Sequence, residues 1–138
     1  MTRSNTTSDF SVAHALARIG LGINIALHGL TRIPRFGEFQ TYLRKEFATA
    51  PLPSFLVEAS AYGIVAAESI IGLLLLLGFC LRPALVAGSV LMWTLLFGVC
   101  LVQNWNAAGS QMIYLAFFTL LLATVRFDRF SVDGLRAR

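Results

Sequence analysis

Residues 59–77 read Ala59-Ser60-Ala61-Tyr62-Gly63-Ile64-Val65-Ala66-Ala67-Glu68-Ser69-Ile70-Ile71-Gly72-Leu73-Leu74-Leu75-Leu76-Leu77, with Glu68 as the one charge in the run. An apolar stretch of about 20 residues is the length at which an α-helix crosses the hydrocarbon of a bilayer. A carboxylate in the middle of such a stretch costs several kcal/mol on most scales, so Glu68 requires a partner, a proton or a task.

The rest of the chain agrees that lipid is its solvent. Of 138 residues, 57% are hydrophobic and only 13% charged, a balance from which a water-facing surface is hard to build. The length admits about four spans of roughly 20 residues each. They are expected at about Val12 to Leu30, Phe55 to Phe79, Pro83 to Val102 and Gln111 to Val125. The expected fold is all-α: a four-transmembrane-helix bundle forming a single membrane domain over residues 1–138, with an amphipathic interfacial helix between spans one and two. Span one carries His14, Arg18, Asn24 and His28 and lacks the cleavage site of a signal peptide, so it is expected to be retained. The turn Gly78-Phe79-Cys80-Leu81-Arg82-Pro83 makes spans two and three antiparallel neighbours.

The net charge of +4 does not indicate nucleic acid, because the basic residues flank the apolar runs, where they set orientation and meet anionic headgroups. One side collects Arg3, Arg82, Arg126, Arg129, Arg136 and Arg138, and the other Arg32, Arg35, Arg44 and Lys45. This excess predicts that both termini face the cytoplasm. In the connection after span one, Phe36, Phe39, Leu43 and Phe47 recur at spacings of three and four among charged residues. That pattern predicts a helix over about 36–48 lying in the headgroup layer, either as a surface anchor or as a lid over a lipid-accessible pocket.

If span one rises from Phe10 and span two descends to Phe79, Arg18 and Glu68 lie at depths of roughly 12 and 16 Å from one face. Ten residues outward on each helix, His28 and Glu58 again match in depth. Depth thus admits two acid–base pairs between these spans. Ten residues turn a helix by about 280°, so both pairs cannot face straight across one contact, and a third span or a ligand would complete one of them. Arg18 with Glu68 reads as a buried polar core, either an ion pair that fixes packing or a site for a headgroup or proton path. His28 ends its helix, where an imidazole either reaches water or a carbonyl or serves a quinone carbonyl. Asn24, Tyr62, Trp93, Gln103, Asn104, Trp105 and Tyr114 either line the same cavity or mark the aromatic belt. The small residues Ala59, Gly63 and Ala67, and Ala84 with Gly88, suit close helix approach.

Cys80 and Cys100 stand at opposite ends of span three, which excludes a two-cysteine thiol exchange within one chain. His14 and His28 lie roughly 21 Å apart along one helix, so they cannot ligate one haem from both faces. No metal-ligand cluster, dinucleotide loop or phosphate loop is legible.

The succession Ala17-Arg18-Ile19-Gly20-Leu21-Gly22, Leu27-His28-Gly29-Leu30-Thr31-Arg32-Ile33, an aromatic linker ending in Pro51-Leu52-Pro53, then Glu68, Gly72, the leucine run to Gly78, and Leu81-Arg82-Pro83-Ala84 resembles the DoxX family of small four-span membrane proteins. The resemblance covers about residues 12–125. It implies similarity to the small membrane subunit of thiosulfate:quinone oxidoreductase, and hence a quinone-linked role. The family's recurring positions fall on Arg18, Gly20, His28, Gly29, Glu68, Gly78 and Arg82. The chain departs from the pattern where the usual threonine-arginine or serine-arginine turn reads Leu81-Arg82 followed by proline.

The expectation is a quinone-interacting subunit of a membrane redox complex, with Arg18 and Glu68 as its polar core. His28, Glu58 and Asn24 are the candidate quinone-binding residues. Electrons would come from other subunits, because the chain encodes no carrier. The alternative is a non-catalytic accessory subunit that anchors a larger complex or a homo-oligomer. A small transporter is disfavoured by the lack of an internal repeat.

Overall fold

The computed structural model describes residues 3–136; Arg138 and the side chain of Arg3, both counted in the charge balance, lie outside what it describes. The chain forms α1 (Arg3–Leu30), α2 (Phe36–Glu46), α3 (Ser54–Leu77), α4 (Leu81–Leu101), α5 (Trp105–Ala123), a 3-10 turn at Val125–Phe127 and a short α6 (Val132–Arg136). Thr7–Leu30, α3, α4 and α5 are each long and apolar enough to span a bilayer. The architecture is an all-α, four-span bundle. Its helices close a ring in which α3 packs on α1 and α4, and α5 packs on α4 and α1.

Two helices begin earlier than their apolar runs do. The polar first turns of α1 continue the helix back to Arg3. α5 starts at Trp105 rather than Gln111, because the Asn104 side chain accepts a hydrogen bond from the Ala107 N–H at 3.1 Å and caps it. The hydrophobic window sees the apolar part of a helix and misses its cap.

The α1–α3 contact is a seam of small residues. Gly72 stands against the Ala26 backbone, Gly29 against Ser69, and a Cβ at Gly22 would meet Leu76 N at 3.0 Å. Close backbone approach of this kind is how helices associate in lipid, where no hydrophobic force acts between them. The seam is not the one expected on α3: Ala59 is exposed and Gly63 has no neighbour within 4 Å. Gly88 of α4 does pack closely, against the Phe118 ring of α5, and Ala84 is buried beside it. The core within the ring comprises Leu21, Ile25, Ile71, Leu75, Leu85, Met92, Phe118 and Leu121.

α2 covers the end of the bundle remote from the termini. Its Leu43 packs with Val57 and Ala61, flanked by Phe36, Phe39, Phe47 and Leu52. Polar contacts fasten its last turn: Arg44 pairs with Glu58 of α3 at 2.9 Å, and Asn104 donates to Glu46 at 2.8 Å. The Arg35–Glu38 pair at its start is exposed, and the hydrogen bond and charge of Glu38 raise the Arg35 pKa. Burial, followed by the charge of Glu46, raises that of Tyr42.

At the opposite end Gly78, with φ 63°, terminates α3 in the left-handed conformation that glycine adopts without strain. The C-terminal segment folds onto this turn. Asp133 donates its N–H to Gly78 O at 3.0 Å, and its carboxylate accepts from Leu81 N at 2.7 Å, serving the start of α4.

Candidate functional site

Arg18 and Glu68 are both buried, at 2% and 3% exposure, but they do not pair. The Arg18 guanidinium donates to Leu75 O, to Leu76 O at 3.0 Å and to Phe130 O at 2.7 Å. Glu68 instead accepts a hydrogen bond from Arg32, just beyond the end of α1. Arg18 and Glu68 are apart because α1 and α3 do not begin in one plane. The glycine seam sets a register in which Gly29 lies beside Ser69, so Arg18 falls level with the last turn of α3, about ten residues beyond Glu68.

His28 and Glu58 are likewise apart. The His28 Nδ1–H donates to Asn24 O at 2.9 Å, and Glu58 belongs to Arg44. A carbonyl can only accept, so Nδ1 carries a proton and Nε2 is left for another partner.

One polar site takes shape beneath α2. Glu68 (α3) is paired with Arg32, and His28 (α1) stands within electrostatic range of the carboxylate. The His28 ring meets Tyr114 of α5 edge-on, with centroids 6.2 Å apart. Asn24 lies one turn from His28, and Gln111 one turn from Tyr114; Oδ1 of the first and Oε1 of the second are buried without a hydrogen-bond partner. Phe39 of α2 closes the site, with its ring centroid 4.5 Å from the Arg32 guanidinium. Glu68 is buried within the bundle, whereas His28 is exposed on its flank.

Sequence reasoning counted Arg32 only as an orientation charge and did not single out Gln111. A signal for Arg32 was present: it lies four residues after His28, on the same helical face. Glu58 stands outside the cluster, and Tyr62 is engaged with Phe36, their rings 4.6 Å apart. Trp93 and Trp105 point outward. Both cysteines are free, and among the described residues no group of three or more His, Cys, Asp or Glu side chains forms a metal site.

Four apolar spans, a roofing helix and a buried carboxylate paired with Arg32 define a multi-pass integral membrane protein. The DoxX family model matches residues 13–104, more than half of the chain, and the protein belongs to the DoxX family. No curated protein and no solved structure matches it.

Proposed function

We propose that this DoxX protein is a quinone-interacting subunit of a membrane redox complex. The observation that carries the proposal is the exposed His28 imidazole on the flank of the bundle, next to Tyr114 and backed by the buried Glu68 and its partner Arg32. A quinone diffusing in the hydrocarbon would approach such a site sideways and find hydrogen-bonding groups at the depth of its headgroup. An imidazole such as that of His28 can exchange a proton with a quinone oxygen. Asn24, Gln111 and Tyr114 supply further hydrogen-bonding groups, and Arg32 holds the Glu68 charge in place. Electrons would come from a partner subunit. The charge balance favours both termini in the cytoplasm of a bacterial cell, which puts the site toward the outer leaflet.

Accessory anchoring of a larger complex is the second reading. It is favoured by the fact that Glu68 already has an internal partner in Arg32 and needs no ligand to neutralise it.

Extraction of the protein from native-lipid particles, with quinone measured by mass spectrometry against a membrane protein of similar size, tests the first reading. Stoichiometric quinone that is lost in His28→Ala supports it. Quinone at the control level, with other proteins co-purifying, supports the second.

A further inference from the structure

A second polar cluster lies at the other end of the bundle, where the C-terminal segment covers the last turn of α3. His14 and Arg18 sit one turn apart on one face of α1, at 4% and 2% exposure. Arg18 spends its terminal nitrogens on three carbonyls, and its Nε–H is buried without a partner. His14 Nδ1 lies 3.0 Å from Thr124 Oγ1, and the Thr124 hydroxyl donates its own hydrogen to Leu120 O at 2.7 Å. Thr124 therefore accepts from His14, the imidazole proton sits on Nδ1, and Nε2 carries a lone pair, again without a partner. Asp128 accepts from the Ser131 hydroxyl through Oδ2, while its Oδ1 is buried and unpartnered. The Asp128 charge acts on both His14 and Arg18.

One donor and two acceptors are the set that a single water satisfies, accepting from Arg18 Nε and donating to His14 Nε2 and Asp128 Oδ1. Such a water would remove the cost of three stranded polar atoms. Asp128 also lines a groove of about 360 Å³ with Arg82, Asp133 and Gly134.

We infer that Asp128 and a bound water form a proton-exchange route between this groove and the buried imidazole of His14. A hydronium ion in the groove gives a proton to Asp128 and becomes water. The bridging water then gives a proton to His14 Nε2 and takes one from Asp128, leaving a carboxylate, an intact water and an imidazolium whose Nδ1–H stays on Thr124. Arg18 keeps its charge throughout, and the reverse sequence returns the proton to the groove. Arg18, Thr124 and Asp128 are the charged and hydrogen-bonding groups that face the imidazole. The route is separate from the His28 site, which lies fourteen residues beyond His14 along α1, and is independent of what binds there.

Nitrogen-15 NMR of the full-length chain in lipid nanodiscs, labelled at histidine, tests this. In the unaltered protein His14 Nε2 is expected to exchange with water although the side chain is buried. Asp128→Asn should slow that exchange about a hundredfold, the lower range for loss of a positioned acid–base group. Persistence of the Nδ1–Thr124 signal in the same spectrum reports that this end remains folded. Asp128→Glu, which keeps the carboxyl, should restore exchange at least in part. No water contact at His14 in the unaltered protein, equal exchange in Asp128→Asn, or no recovery in Asp128→Glu overturns the inference.

Discussion

Arg32 donates to Glu68 across the α1–α3 contact, and Phe39 of α2 lies against the same guanidinium, its ring centroid 4.5 Å away. One side chain thus joins three elements: the end of α1, the middle of α3 and the roof. The Arg32 side chain is 29% exposed and that of Glu68 only 5%, so the carboxylate depends on this cation more than the cation depends on it.

That asymmetry predicts unequal mutational costs. Arg32→Met leaves a buried, unpaired carboxylate and should destabilise the bundle by about 3 kcal/mol. Glu68→Gln keeps the shape and releases a cation that reaches water, and should cost less. Unfolding titrations in mixed micelles will rank the two; equal losses would show that the pair is not what holds Glu68.

The glycine seam makes a contrasting pair of predictions. Gly72→Ala drives a methyl group into the Ala26 backbone and should cost about 1–3 kcal/mol, whereas Gly63→Ala meets no atom within 4 Å and should be neutral or slightly stabilising. The same substitution on the same helix separates packing from helix propensity, read by thermal denaturation.

Gly88 and Phe118 should couple. Gly88→Ala collides with the ring and is expected to lose about 2 kcal/mol, much of it regained when Phe118→Leu is added. A double-mutant cycle on stability measures the coupling; additive effects would mean that α4 and α5 have moved apart.

Arg18 holds the C-terminal segment through Phe130 O while serving the final carbonyls of α3. Arg18→Ala should therefore loosen residues 128–136 before the bundle itself fails. Faster trypsin cleavage at Arg129, with the four spans still intact on a gel, is the expected result. Arg18→Lys has no planar fork to reach three acceptors at once and should rescue cleavage resistance only in part.

Much of the architecture was legible because burial in lipid leaves a one-dimensional mark. Apolar length marked four spans, and the three-and-four spacing of Phe36, Phe39, Leu43 and Phe47 marked the helix that became α2. Gly78 marked the sharp turn between α3 and α4. The start of α5 was not visible, because its first turns are polar and its cap is a single asparagine. For the polar groups, their identity was legible and their pairing was not. Arg18, His28, Asn24 and Glu68 stood out as polar groups inside apolar runs, yet Glu68 meets Arg32, and Arg18 meets backbone carbonyls.

The sequence by itself determined the solvent, the number of spans and which side chains would need partners, since these depend on residue type and spacing along one helix. Only the tertiary structure decided who partners whom. Register between two helices is set by where their backbones can approach, here Gly22, Ala26 and Gly29 against Ser69, Gly72 and Leu76. A shift of ten residues in that register moves a side chain about 15 Å, enough to exchange one partner for another.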